Sequence, residues 1–488
     1  MNDQFLLAID IGTTNTKAAL FRPDGTVVCT ASRRHKVSSP KEGFAEHDAE
    51  KIWWAETVAV CREITACDGV DSGKIRAIGI SSLSPALLPV DEDGNALYPA
   101  MLYNLDRRSV GEGKELSEKF SIGPLSTGPK ILWLKKNVPE IFKKAAYFVG
   151  TPSFIVNKLT GNMLADHAAY TIGGMPYDPK NMRWDEAMCE ACGITPEKLP
   201  PLKYGSEVGG YVTAEAAQLT GLQAGTPVTV GTGDFPAECC SFGTVYAHSI
   251  RLTFGTTVGV NFGFNSSDPL FKDYDFEKSL AARPKRRGGA MPNGCSTVDW
   301  VIGLLSGPMA KERLSDDVLR QLYESTPAGS NGLMVLPFLN GGNGAPLNKP
   351  EAKGAIVGLE TKHSHGDLYR ASLEGLAYTI RMLLDPKPGD KLEAVAMAGG
   401  IRIPGLLQVV SDVTGFTLTP LIAFNNALIG DAFLAGMACG MFTSLEDINP
   451  WIRTGEVVTP NPANKAVYDA GYEKFVELCK TAAVGIET

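Results

Sequence analysis

The sequence lacks the long apolar run that a membrane-spanning helix requires. Nowhere in the chain do about 18 consecutive residues stay apolar and uncharged. The N-terminus carries the acidic residue Asp3 and only a short apolar stretch, so it does not resemble a secretory signal peptide. We therefore expect no membrane partner and a cytoplasmic location.

Clustered basic charge and paired cysteines are also scarce. The 46 Lys and Arg residues against 54 Asp and Glu give a net charge of −8, which argues against a nucleic-acid partner. The dense basic cluster Lys285–Arg287 is interpreted as a solvated loop. The ten cysteines are scattered, as is typical of a reducing compartment. Cys189 and Cys192 have no second pair or histidine at metal spacing, so we interpret them, like Cys239 and Cys240, as packing residues.

The N-terminal segment contains neither of the common glycine-rich nucleotide motifs, GxGxxG and GxxxxGK[ST]. Those motifs run from a strand through glycines into a helix. Here a predicted strand, Phe5–Ile9, leads through Asp10 and the turn Gly12–Thr14 into a second apolar run that contains Lys17. A third strand, Thr26–Val28, follows the next turn. The pattern predicts a β-meander.

The Gly-Thr-Thr turn of this meander has the chemistry of a phosphate site. Glycine lets the backbone approach an anion, and the hydroxyls of Thr13 and Thr14 can donate to phosphate oxygens. Lys17 adds positive charge, and Asp10 can hold a magnesium ion through water. The alternative is an ordinary hairpin with β-branched turn residues.

The same pattern returns about half a chain later, in Thr253–Val260. Its turn consists of Gly255, Thr256 and Thr257. One such turn in each half predicts two related domains, residues 1–245 and 246–488, with the boundary near Thr244–His248. Two related domains, each with a phosphate turn, are the pattern of the actin, hexokinase and heat-shock ATPase architecture.

Within that architecture, two further segments make a specific match. Thr127–Asn137 is close to the first signature of the FGGY family of carbohydrate kinases, and Gly354–Glu374 satisfies the second. The chain resembles this family over nearly its whole length, in particular the xylulokinase-like and gluconokinase-like branch. The resemblance implies an α/β fold of two actin/hexokinase-like (ribonuclease H-like) domains that face an interdomain cleft. It implies an ATP-dependent phosphotransferase with an alcohol group as acceptor, which uses Mg²⁺.

Asp234 is the candidate catalytic residue. It lies in the turn Gly231–Pro236, between a predicted strand and a run of small residues that predicts a helix. From the residues alone, an N-cap is the favoured role for Asp234. The family places its catalytic aspartate in a glycine-rich turn at this point. The resemblance therefore implies that Asp234 accepts the proton of the sugar hydroxyl, contacts the sugar and, with Asp10, holds Mg²⁺.

The sugar-reading segments depart from those of the relatives. The resemblance implies that the sugar pocket is lined by Ser84, Pro85, Asn104, Asp106 and Arg107. Xylulokinases have Met-His where Ser84 and Pro85 align, and they have Trp where this chain has Tyr103. A charged helix start capped by Asp106 is the alternative for the second segment.

These departures leave the substrate open. We expect a ketopentose such as xylulose, with gluconate, a polyol or another ketose as runners-up. Two further hypotheses stand beside an active kinase. One is a degenerate member of the family that binds sugar and ATP with little turnover, and the second is a non-catalytic regulator of the heat-shock type.

The nucleotide site is expected in both halves. The resemblance implies that ATP contacts Thr13, Thr14, Lys17, Gly255, Thr256, Thr257, Gly399 and Gly400. The last pair follows a predicted strand, Ala394–Met397, where bare backbone lets adenosine lie close; a generic tight turn is the alternative. Gly430, in a predicted helix of small residues, is expected near the nucleotide. A homodimer is expected from the family alone.

Overall fold

The computed structural model describes residues 4–482 apart from 124–125, 173, 244, 247–248, 262–269, 273–287, 308–312, 343–345, 348, 350, 387–391 and 423–425. The predicted basic cluster Lys285–Arg287 and part of the predicted domain boundary lie outside the described residues.

The strands are, in chain order, β1 Phe5–Ile11, β2 Asn15–Phe21, β3 Val27–Arg34, β4 Glu46–His47, β5 Ile75–Ser82, β6 Leu88–Val90, β7 Ala100–Met101, β8 Tyr147–Val149, β9 Ala165–Asp166, β10 Tyr177–Asp178, β11 Arg183–Trp184, β12 Leu202–Lys203, β13 Val208–Tyr211, β14 Pro227–Thr229, β15 Thr232–Gly233, β16 Ile250–Phe254, β17 Val258–Asn261, β18 Gly289–Met291, β19 Met334–Leu336, β20 Ala355–Val357, β21 Glu393–Met397 and β22 Thr417–Pro420.

The α-helices are α1 Ala55–Thr65, α2 Val110–Ser117, α3 Thr127–Asn137, α4 Pro139–Lys144, α5 Thr151–Thr160, α6 His167–Ile172, α7 Glu186–Cys192, α8 Ala214–Thr220, α9 Asp234–Cys240, α10 Cys295–Ser306, α11 Asp316–Glu324, α12 His365–Leu384, α13 Leu406–Thr414, α14 Asn426–Ala438 and α15 Lys465–Ala482. A π-helix, Ala49–Trp54, leads into α1. In the part of the chain that the structure describes, no helix combines the length and apolarity of a membrane span.

The chain forms two compact units. The first comprises Met1–Ala247, Asn265–Ala282 and Phe424–Trp451, and the second comprises the remaining segments, His248–Phe264, Arg283–Ala423 and Ile452–Thr488. Helix α14 thus belongs to the first unit although it comes late in the sequence. The predicted division into residues 1–245 and 246–488 does not include this return of the chain, and it stays a prediction.

The sheet of the first unit has the order β13-β14-β5-β1-β2-β3, with β15 also paired to β5. Strands β1, β2 and β3 form the predicted antiparallel meander, and β5 pairs with β1 in parallel. All seven residues of β1 are buried, because apolar helices cover both faces of a central strand. Helix α14 packs on β1, β5 and α9.

The sheet of the second unit repeats this arrangement. Its order is β18-β17-β16-β21-β22. Strands β16, β17 and β18 are antiparallel neighbours, while β21 is parallel to both β16 and β22. In each unit a Gly-Thr-Thr turn therefore joins a central strand to its antiparallel neighbour.

Candidate active site

The first Gly-Thr-Thr turn carries an acid and a base at its strand ends. Asp10 and Lys17 are register partners on β1 and β2. The Lys17 Nζ atom lies 3.9 Å from Asp10 Oδ2, and the lysine side chain is 40% exposed whereas the aspartate is buried. The Gly12 N–H donates to Asn15 O, which closes the turn. The Thr13 hydroxyl lies 3.0 Å from the Tyr103 hydroxyl.

Asp234 is the first residue of α9 and follows β15, which is separated by β5 from β1, the strand of Asp10. The N-cap position falls on Gly233, so Asp234 is not the capping residue that its sequence context favours. Its carboxylate accepts a hydrogen bond from the adjacent Phe235 N–H, at 2.8 Å. The carboxylate of Asp234 is therefore not consumed by capping, which removes the main alternative for this residue.

Two further buried acids lie close to this pair, and neither was predicted from the sequence. Ser81 on β5 is the register partner of Asp10 and of Thr232. The Ser81 hydroxyl donates to Asp431 Oδ2 on α14 at 2.7 Å, and the Thr232 hydroxyl donates to Asp166 Oδ2 at 2.7 Å. One signal for Asp431 was available, because it is the only charged residue of the run Ala427–Gly436.

Helix α14 reaches this position through close backbone packing. A Cβ atom on Gly79 would overlap the Asp431 backbone, and a Cβ atom on Gly430 would overlap the backbone of Ala237 in α9. Gly430 is thus a packing residue between helices of the first unit; its predicted nearness to the nucleotide stays a prediction.

The acids of the site hold their protons unusually strongly. Burial, and secondarily the charge of Asp10, raises the pKa of Asp234 to about 7. Burial raises the pKa of Asp10 to about 6, although Lys17 opposes the shift. Burial also raises the pKa of Asp431 well above its ordinary value. Buried carboxylates that repel each other are relieved by a cation between them.

Because their carboxylates repel each other when ionised, Asp10 and Asp234 are suited to bind a magnesium ion. The Asp10 Oδ1 atom is buried and has no hydrogen-bond partner in the described structure. Among the described residues, no three His, Cys, Asp or Glu side chains are grouped so as to hold a metal ion by themselves. Water and phosphate oxygens would complete the coordination, as is usual for Mg²⁺.

The predicted sugar-reading residues fall into an exposed and a buried group. Ser84 lies beside the turn Gly231–Pro236, since a Cβ atom on Gly233 would be 3.0 Å from Ser84 Cβ. Asn104 and Arg107 are exposed, and Pro85 is partly exposed. These positions are accessible to a ligand in the first unit.

Asp106 is different, because it is fully buried and its carboxylate is engaged by the protein itself. Arg108 Nη2 donates to Asp106 Oδ2 and to Glu46 Oε1, each at 2.6 Å, and the Ala45 N–H also donates to Asp106 Oδ2. The Arg108 guanidinium lies 3.7 Å from the centre of the Phe44 ring. The network gives Asp106 a structural role that was not predicted from the sequence, and its predicted contact with a sugar stays a prediction.

Of the predicted adenosine glycines, Gly400 packs against Phe254, the last residue before the second Gly-Thr-Thr turn, within the second unit. A Cβ atom on Gly400 would lie 2.5 Å from Cys295 Sγ and 2.7 Å from Phe254 Cβ, whereas one on Gly399 would meet nothing within 4 Å. Ala398, just before them, has φ 71° and ψ −176°, a backbone conformation that is costly for any residue other than glycine. Such strain is common at ligand-binding turns, which agrees with the predicted role.

Both halves of the sequence match known proteins. Residues 5–239 match the model of the N-terminal domain of the FGGY family of carbohydrate kinases, and residues 252–439 match that of its C-terminal domain. The chain is 28% identical to a xylulose kinase of Escherichia coli (97% of this chain, 98% of the relative) and 26% identical to a gluconokinase of Bacillus subtilis (98% and 96%). It superposes on the crystal structure of xylulose kinase from Rhodospirillum rubrum with a TM-score of 0.82 at 28% identity, over 98% and 99% of the two chains.

Proposed function

The chain belongs to the FGGY family of carbohydrate kinases, ATP-dependent phosphotransferases with the two-domain actin/hexokinase-like fold, and we propose that it phosphorylates a ketopentose such as xylulose. The family and fold expected from the sequence are confirmed. The observation that supports the site is the carboxylate of Asp234, which does not cap α9 and lies near the buried acid Asp10.

In the proposed reaction Asp234 orients the acceptor hydroxyl and takes its proton as the γ-phosphoryl group arrives. A base is most effective when its pKa lies near the working pH, and the pKa of Asp234 is about 7. Because phosphoryl transfer passes through a loose transition state, the proton can move late, and positioning of the hydroxyl matters most.

Each unit would supply donors to the nucleotide. In the first unit, Thr13, Thr14 and Lys17 would bind phosphate oxygens. In the second unit, the corresponding residues are Gly255, Thr256, Thr257, Gly399 and Gly400, the last two for adenosine. The exposed side chains of Thr256 and Thr257 leave both hydroxyls accessible.

We also propose Mg²⁺ as the cofactor, held by Asp10 and Asp234 together with phosphate oxygens. When bound, it neutralises phosphate charge. The protein's own part is to keep two carboxylates in place with oxygen atoms available to the ion. Within the described part of the chain, the buried Asp10 Oδ1 atom is such an oxygen, because it has no hydrogen-bond partner. The cytoplasmic location and a possible homodimer remain proposals of the same kind.

The similarity to a xylulose kinase favours a pentulose, and the similarity to a gluconokinase keeps gluconate as the second candidate. The proposed sugar contacts are Ser84, Pro85, Asn104 and Arg107. The buried Asp106 holds the segment that carries Asn104 and Arg107 through its bonds to Ala45 N–H and Arg108. We propose that Ser84 and Pro85 decide between pentulose, aldonate and polyol, since Ser84 lies beside Gly233 in the turn that carries Asp234.

The test is ADP release with Mg²⁺-ATP against pentuloses, hexuloses, polyols and aldonates, for the native protein and Asp234→Ala. We expect sugar-dependent turnover that the variant loses. Turnover that survives in Asp234→Ala would refute the assignment of the base. Bound ATP without stimulation by any sugar would instead support a degenerate binder.

A further inference from the structure

The first Gly-Thr-Thr turn is held from behind by a histidine, His35, which follows strand β3. The His35 N–H donates to Thr14 O at 3.0 Å, and the ring atom Nε2 lies 3.2 Å from Gly12 O. The other ring nitrogen, Nδ1, lies 2.8 Å from Glu56 Oε2 in the first turn of α1. The His35 side chain is 4% exposed, so water cannot substitute for these contacts.

The partners of His35 determine the protons on its ring. A backbone carbonyl can only accept, so Nε2 must carry a proton to bond Gly12 O. A carboxylate also only accepts, so Nδ1 must carry a proton to bond Glu56. A ring with both nitrogens protonated is the imidazolium cation, and His35 with Glu56 is then a buried ion pair.

The neighbouring histidine has the opposite state. The rings of His35 and His47 meet edge to face, with centroids 4.8 Å apart. The Trp53 indole N–H donates to His47 Nδ1 at 3.0 Å, so this nitrogen must be unprotonated. Burial, and secondarily the charge of His35, lowers the pKa of His47 to about 4. Two imidazolium rings in contact would repel, so a neutral His47 is what permits a charged His35.

We propose that His35 is a positioning residue of the kinase: a buried imidazolium, paired with Glu56, that fixes the phosphate-binding turn through its ring bond to Gly12 O, beside the main-chain bond to Thr14 O, and adds positive charge behind the turn. This inference rests on the proposed phosphate role of the turn. Neither His35 nor Glu56 belongs to a glycine-rich turn or to a family signature. A charged donor is stronger than a neutral one, so the Gly12 bond is the contact that holds the turn open for phosphate.

Nucleotide binding tests the effect on the turn. The probe is Mg²⁺-ATP without sugar, titrated by calorimetry into the native protein, His35→Gln and Glu56→Gln. Loss of a charged hydrogen bond should weaken binding and raise the dissociation constant of Mg²⁺-ATP roughly tenfold. We expect a rise of about that size in both variants, with KM for ATP changed more than kcat. His363→Gln is the control, because the His363 ring accepts from Glu360 N–H at the surface of the second unit; it should leave binding unchanged.

The protonation state has its own readout. Nitrogen-15 NMR of histidine-labelled protein near neutral pH should show two ring N–H signals for the residue whose signals vanish in His35→Gln. A single ring proton would overturn the ion pair. Native affinity in both variants would overturn the positioning role. If the native protein fails to bind Mg²⁺-ATP at all, the proposed function fails, while the NMR result still decides the state of His35. Glu56→Gln is nearly isosteric and carries the test if His35→Gln does not fold.

Discussion

The two Gly-Thr-Thr turns share a fold but are supported differently. In the second unit, the turn carbonyls of Gly255 and Thr256 accept from backbone N–H groups at the start of α10, at 3.0 to 3.3 Å. In the first unit, the turn carbonyls of Gly12 and Thr14 accept from the ring and the main chain of His35. Main-chain support tolerates many side chains, whereas support by one side chain can be lost in a single substitution.

The residues that flank the two turns also differ, because the first turn has charged neighbours where the second has none. The place that Asp10 holds two residues before the first turn is held by Thr253 in the second, and the place of Lys17 is held by Val260. The parallel neighbours differ as well, since Asp10 is in register with Ser81 and Thr253 with Met397. The first turn is thus flanked by charged residues and the second by uncharged ones. We infer that the charged groups of the proposed site are concentrated in the first unit and that the second contributes uncharged donors.

The largest expected effect comes from removing the flanking acid. Asp10→Asn should lower kcat by about 10²–10³-fold, the usual effect of deleting one electrostatic element of a transition-state site. The matched substitution in the second unit, Thr253→Val, should change kcat by less than about threefold, because no charge is removed. Steady-state kinetics with saturating sugar measure both. Equal losses in the two variants would contradict the asymmetry.

The pH dependence should report the same acids. Asp234 acts as a base only when ionised, and its pKa is about 7, so kcat/KM should fall by about tenfold for each pH unit below 7. Below pH 6 the slope should steepen, because Asp10, whose pKa is about 6, also takes up a proton. The fall is in the acid direction because both groups lose function when protonated. A profile that is flat between about pH 5 and 8 would refute these assignments.

In the second unit, the adenosine glycines can be separated by their surroundings. Gly399→Ala places a methyl group in open space, so the fold should remain while KM for ATP rises by roughly tenfold if adenosine lies there. Gly400→Ala places it 2.5 Å from Cys295 Sγ, so it should destabilise the second unit by about 1–3 kcal/mol. Denaturant unfolding and KM measurements distinguish them. An unchanged KM in Gly399→Ala would favour a generic tight turn.

Local features of the site could be predicted from the sequence, whereas contacts between residues distant in sequence could not. Strand-turn-strand patterns are local, so the first meander, the strand-turn-strand unit of the second half and the helix at Asp234 could be predicted from spacing. The contacts of Asp431 and His35 could not be predicted, because their partners, Ser81 and Gly12, are distant in sequence and meet them only in the folded structure. The same applies to Arg108, whose bond to Glu46 spans 62 positions. Without knowledge of that contact, the sequence predicts its neighbour Arg107 as a site residue but gives Arg108 no role.

The smallest expected effect is at Asp431, where the structure predicts that charge is not needed. The Asp431 carboxyl accepts from the Ser81 hydroxyl, and its pKa is raised well above the ordinary value by burial. An amide oxygen can accept the same bond, so Asp431→Asn should leave kcat/KM within about threefold and stability nearly unchanged. Asp431→Ala leaves the Ser81 hydroxyl buried without its acceptor, at a cost of about 1–3 kcal/mol in unfolding free energy. Ser81 is the register partner of Asp10, so this variant should also weaken activity. If Asp431→Asn were as damaging as Asp431→Ala, an ionised Asp431 would be part of the site, and the first turn would differ from the second by one more charge.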